Sequence, residues 1–204
     1  MVQPRPAEKR GRGYNPSLWR DAMNKVCRWV PEQGVGLEHL ELRETEQGLL
    51  AAGMVIGSRY ASSYGLFYEI ELARDWAVRQ VRLASPDGAR LLLSADGAGR
   101  WFDADGQPLP ALDGCIDVDI SASCFTNTIP IRRLGEGLCQ RQLIDVAFIR
   151  IPNMSVEKAE QAYTMAGAPD RYRYEGVSSH FEAMLKVDAD GFVTDYPQLF
   201  KRIA

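Results

Sequence analysis

The segment Leu66-Phe67-Tyr68-Glu69-Ile70-Glu71-Leu72 alternates, placing Leu66, Tyr68, Ile70 and Leu72 on one side. A period of two is that of a half-buried β-strand. Trp76 to Leu83, Arg90 to Ser94 and Gly99 to Asp103 follow as short strand-like runs. Cys115-Ile116-Asp117-Val118-Asp119-Ile120 alternates again, as do Phe181, Ala183, Leu185 and Val187 against Glu182, Met184, Lys186 and Asp188. Phe192 to Tyr196 then brings the chain back. The run from Gln142 to Ile151 is apolar on both parities, Leu143, Ala147 and Ile149 against Ile144, Val146 and Phe148. A strand with two apolar faces is covered on both sides, which predicts a central place in a sheet.

Asp-Gly dipeptides punctuate these runs at Asp87-Gly88, Asp96-Gly97, Asp105-Gly106, Asp113-Gly114 and Asp190-Gly191. Asp-Gly suits type I′ hairpin turns, because both residues tolerate positive φ. Short strands between turn signals predict a mainly β fold, a curved antiparallel sheet with a few short helices. One helix is expected from Ser17 to Lys25, behind Asn15-Pro16. A second is expected in Thr126 to Gly135, with Asn127 as cap, Pro130 in the first turn and Gly135 as terminator. Ser155 to Ala168 has helical spacing at Val156, Ala159, Ala162, Tyr163 and Ala166, and its state stays open.

With 204 residues, 46% of them hydrophobic, the chain can bury a substantial core. No apolar run of about 18 residues is present, and Met1 to Arg10 has no apolar stretch of a secretory signal. The expectation is therefore a cytoplasmic protein with no transmembrane segment. The net charge of −3 argues against nucleic-acid binding. Only the extreme N-terminus is basic, with Arg5, Lys9, Arg10 and Arg12 against Glu8. Residues 1–22 are expected to form a disordered or dispensable extension, and residues 23–204 one domain. The four cysteines, Cys27, Cys115, Cys124 and Cys139, have no C-x-x-C spacing and are expected as buried thiols.

Standard catalytic and metal motifs are missing from this sequence. His39 and His180 stand in no metal-ligand spacing, and neither a nucleophile elbow nor a phosphate loop occurs. Asp103-Ala104-Asp105-Gly106 and Asp188-Ala189-Asp190-Gly191 lack the ligand positions of a calcium loop and read as hairpin turns. Neither a metal nor a cofactor is expected. Asp117 and Asp119 share one face of their strand, roughly 6.6–7 Å apart. They could form an acid/base pair, line a solvated face, or pair with Arg132 and Arg133. Trp29, Trp76, Trp101, Tyr163, Tyr172, Tyr174 and Tyr196 supply amphipathic aromatic surface, suited either to a core or to an amphiphilic ligand.

Several segments together resemble a bacterial family described as putative glycolipid-binding. They are Gly99-Arg100-Trp101 with Asp105-Gly106, Asp117-Val118-Asp119, Phe125 to Leu134, Gln161-Ala162-Tyr163, Tyr172-Arg173-Tyr174, and Val187 to Pro197. The run Asn127-Thr128-Ile129-Pro130-Ile131-Arg132-Arg133-Leu134 and the ending Asp195-Tyr196-Pro197 are the most specific. The resemblance starts near Val26 and leaves residues 1–22 outside. It implies an open half-barrel, related in shape to periplasmic lipoprotein carriers, and favours a strand within Val156 to Ala168. It implies a glycolipid or other amphiphile as partner, held in the concave face of the sheet. The residues expected at such a ligand are Trp101, Asp117, Asp119, Asn127, Arg132, Arg133, Tyr163, Tyr174 and Tyr196. Two other readings stay open: a glycoconjugate hydrolase using Asp117, Asp119 or Asp195, and an interaction module working through an exposed sheet edge.

Overall fold

A computed structural model describes residues 24–59 and 62–203. Among these, fourteen strands form a single open sheet. In chain order they are β1 (Lys25–Pro31), β2 (Leu37–Glu44), β3 (Leu49–Arg59), β4 (Ser62–Leu72), β5 (Val78–Ala84), β6 (Arg90–Ala95), β7 (Trp101–Phe102), β8 (Asp117–Ile120), β9 (Gln142–Arg150), β10 (Ser155–Met165), β11 (Arg171–Gly176), β12 (Phe181–Val187), β13 (Val193–Tyr196) and β14 (Phe200–Ile203). The spatial order is β7-β6-β5-β4-β3-β2-β1-β14-β13-β12-β11-β10-β9-β8. Two seven-stranded meanders thus meet where β1 pairs with β14. Neighbours are antiparallel except β8 and β9, which run parallel. A parallel pair needs a crossover, and it is here that the helical segment lies: a 3₁₀ turn Phe125–Asn127, the one α-helix among the described residues, α1 (Thr128–Leu134), and a further 3₁₀ turn Gly135–Cys139.

Alternation decides which side is buried. In the first meander Trp29, Leu40, Ala51, Leu66, Tyr68, Ile70, Val81 and Leu93 all face one way, at 0–3% exposure. The registers Leu40↔Gly53 and Gly53↔Tyr68 keep β2, β3 and β4 in step. Gly53 makes room there, because a Cβ would lie 2.1 Å from Cζ of the Tyr68 ring. The ring lies across β3, and its hydroxyl donates to Glu38 Oε1 on β2 at 2.7 Å.

Several expectations are corrected. Lys25 opens β1 rather than ending a helix; the remainder of that helix and the 1–22 extension lie outside the described residues. β9 is next to last in the sheet rather than central. It is nevertheless buried on both faces along part of its length, at Val146 on one side and Ala147 and Ile149 on the other, while Leu143 is exposed. Ser155 to Met165 is strand, since pairing with β9 and β11 on both sides outweighs helical propensity. The Asp-Gly pairs do sit in turns, but not of type I′. At Ser85–Ala89, Asp103–Gln107 and Asp188–Phe192 only the glycine has positive φ, at 95°, 75° and 82°. The glycine N–H donates back to the first residue's carbonyl at 3.0–3.1 Å. These are three-residue loops, a type I turn followed by a left-handed glycine. In two of them the first aspartate's carboxylate is taken up by the loop's own N–H groups, those of Asp105 and Gln107 at 3.0 and 2.8 Å and those of Asp190 and Phe192 at 2.9 and 3.0 Å. Asn127 adopts helical angles and makes no side-chain cap. Cys27, Cys115 and Cys124 are buried thiols, whereas Cys139 is exposed.

Candidate functional site

In the second meander the buried face changes character. Tyr163 on β10 stands opposite Tyr174 on β11, with ring centroids 5.3 Å apart. Tyr174 continues to Tyr196 at 6.0 Å, and Tyr196 to Phe200 at 6.3 Å. Phe181 packs 6.2 Å from both Tyr174 and Tyr196. Edge-on and tilted packing of this kind is the favoured geometry of aromatic clusters. Burial pushes the phenols of Tyr163, Tyr174 and Tyr196 up, and the Asp119 carboxylate adds to the effect, so all three remain protonated donors.

Next to these rings stands a polar wall. Asp119 on β8 accepts from Thr126 Oγ1 at 3.1 Å and from Gln161 Nε2 at 2.6 Å. Tyr163 donates toward Asn127 Oδ1 at 3.1 Å and Gln161 Oε1 at 3.2 Å. Against both lies a cleft of about 470 Å³. Asp119, Ile120, Ser121, Ser123, Asn127, Phe148, Glu157 and Gln161 line it from β8–β10 and the segment after β8, and Tyr174, Ser178, Ser179, Phe181, Tyr196, Leu199 and Phe200 line it from β11–β14. That volume is within the usual range for a small-molecule site.

Four of the nine expected residues, Asp119, Asn127, Tyr174 and Tyr196, line this cleft, and Tyr163 braces it from beneath. The other four are used elsewhere. Trp101 is fully buried and donates from Nε1 to the Cys115 carbonyl at 2.7 Å. Asp117 has no exposed surface and receives a bidentate bond from Arg133, Nε to Oδ1 at 2.8 Å and Nη2 to Oδ2 at 2.6 Å. Burial pushes the Asp117 carboxyl up against the pull of that guanidinium. Arg132 donates to the Asp190 carbonyl at 3.0 Å, and its guanidinium lies 5.0 Å from the Trp76 ring. Trp76 itself takes the left-handed place in a three-residue loop, at φ 71°. The two arginines therefore join α1 to β8, to the β4–β5 turn and to the β12–β13 turn.

Of the three aspartates, Asp119 lines the cleft, Asp117 is held by Arg133 and Asp195 lies on the strand face opposite Tyr196. The edges that an interaction module would offer are two residues long at β7 and four at β8. No group of three or more metal-ligating side chains occurs among the described residues.

Glu38 escaped the sequence reading. It is 1% exposed and accepts from Tyr68 Oη at 2.7 Å, Ser123 Oγ at 2.5 Å and Cys124 N at 2.7 Å. Burial pushes its carboxyl up. It fastens the start of the helical segment, one edge of the cleft, to the first meander. Its one sequence signal was a glutamate on the apolar parity of Glu38, Leu40 and Leu42.

A family model described as putative glycolipid-binding matches residues 26–202, nearly the whole described chain. The chain belongs to that family. The crystal structure of a DUF1089 family protein from Pseudomonas aeruginosa is similar at 35% identity, with a TM-score of 0.71, over 98% of this chain and all of the other. No curated protein matches. No helix among the described residues is long and apolar enough to cross a membrane.

Proposed function

We propose that this chain binds an amphiphile, a glycolipid or a related lipid, in the cleft between the polar wall of β8–β10 and the aromatic wall of β11–β14. The observation that carries the reading is the mixed lining: hydrogen-bonding side chains and a packed group of aromatic rings share one cleft of about 470 Å³. An amphiphile offers both chemistries, and membership of the putative glycolipid-binding family supports the same choice. We read the sheet as a half-barrel that wraps this site. Three long-range bonds support that reading: Ser123 to Glu38 on β2, Ile116 from Val78 on β5, and Cys115 from Trp101 on β7. Each ties the region around β8 to the distant first meander.

Mass spectrometry of small molecules extracted from the natively purified full chain tests the proposal. A lipid-like species recovered near equimolar ratio is expected, with much less recovered from Phe181→Ala. Recovery of no amphiphile, together with no binding to glycolipid-containing vesicles, would overturn it.

A further inference from the structure

Resting on the amphiphile reading, we infer that the part of the ligand held inside the cleft is a saccharide ring, and that the hydrocarbon tail lies outside it. The polar wall carries the argument. Gln161 and Asn127 are 3% and 6% exposed, so water reaches them mainly through the cleft. Each side-chain amide has two N–H donors. The Gln161 amide donates to Asp119, and the Asn127 amide to the Cys124 carbonyl at 3.4 Å. One donor of each amide is left over, and the hydroxyls of the exposed Ser178 and Ser179 line the same space. An alkyl chain laid there would strip water from these groups and return no hydrogen bond. Ring hydroxyls both accept and donate, and so replace that water.

The opposite wall fits the other side of a sugar. A pyranose presents a face of C–H groups, and C–H groups pack well on aromatic surfaces. In the tilted chain Tyr174, Tyr196, Phe200 and Phe181, the two tyrosines are 8% and 5% exposed and the two phenylalanine rings are partly exposed. Nor does the lining favour an anionic head group. Asp119, Glu157 and Glu160 line the cleft. Arg150, the arginine among its described lining residues, is paired with Glu157 and lies 5.2 Å over the Phe148 ring. The ligand class is thus an uncharged glycoside, gripped by its head.

Saturation-transfer NMR on the full chain, with monomeric octyl glucoside, galactoside and mannoside as probes, tests the assignment. The ring protons of at least one glycoside should receive several-fold more saturation than its terminal methyl. Octanoate should not compete. Gln161→Leu should weaken binding at least tenfold, and Phe181→Ala, on the opposite wall and half-exposed, should do the same if the first variant fails to fold. Strongest saturation on the alkyl chain, or displacement by octanoate, overturns the saccharide assignment and leaves the amphiphile reading standing. Absence of binding for all three glycosides overturns the assignment as well. If octanoate and phosphatidylglycerol vesicles also fail to bind, the amphiphile reading falls with it.

Discussion

Apart from the parallel β8–β9 pair, the two meanders are built alike in hydrogen bonding, and they differ in what covers them. On the β1–β7 side the buried face is filled by Trp29, Leu40, Tyr68, Ile70 and Leu93, and its one carboxylate, Glu38, is consumed by three donors. On the β8–β14 side the same face carries Gln161, Tyr163, Tyr174 and Tyr196 and borders the cleft. The helical segment is tied to both, by Arg133 to Asp117 on β8 and by Ser123 and Cys124 to Glu38 on β2. On the proposed reading a ligand site needs unfilled, polar-lined space, and the filled half would supply the frame that keeps such space open.

The largest effect is expected where that lock is buried. Asp117→Ala strands the Arg133 guanidinium, 16% exposed, and should cost about 3–5 kcal/mol in urea unfolding. If the loss is below about 1 kcal/mol, the segment is not held by this pair and the division into frame and site loses its hinge.

Next comes the contrast itself. Leu40→Ala, in the filled half, should cost about 2–5 kcal/mol by the cavity it opens. Phe200→Ala, half-buried at the cleft, should cost about 1 kcal/mol yet reduce ligand retention. Equal destabilisation in chemical denaturation would erase the distinction.

Gly53→Ala measures how tightly the frame is packed. The new methyl meets the Tyr68 ring, so a loss of about 1–3 kcal/mol is expected, with ligand retention little changed. A neutral outcome would show that the ring can slide and still reach Glu38.

The smallest effect concerns Glu38 and pH. Its folded pKa lies above the ordinary carboxylate value of 4.5, because burial disfavours the charged form. The unfolded chain therefore loses this proton first. The stability contribution is complete below pH 4.5 and falls as pH rises through the folded pKa. Glu38→Gln mimics the protonated acid and should flatten that part of the profile of thermal midpoint against pH. An unchanged slope would assign the dependence to other groups.

Much of this was legible in the chain. The alternation of Leu66 to Leu72 marked both the strand and its buried face, because a period of two is local backbone geometry. The glycines of the Asp-Gly pairs marked turns, because positive φ is a property of the residue; the turn type was misjudged, because it depends on how the flanking strands register. Ser155 to Met165 could not be read locally, since two flanking strands and not its own propensity made it extended. The same limit applied to β9: its two apolar faces were visible, but its place beside the edge followed from the crossover. At the site, the pairing of an Asp with an Arg was foreseeable from charge and proximity in sequence. That Arg133 and not Arg132 would take Asp117, and that Asp119 alone of the two carboxylates would reach the cleft, was settled by how the helical segment docks. Glu38 and Ser123 are 85 residues apart and meet only because β2 lies beneath that segment. Side-chain chemistry and alternation are written residue by residue; which residues face each other across a cavity is a property of the closed chain, and only the tertiary structure decided it.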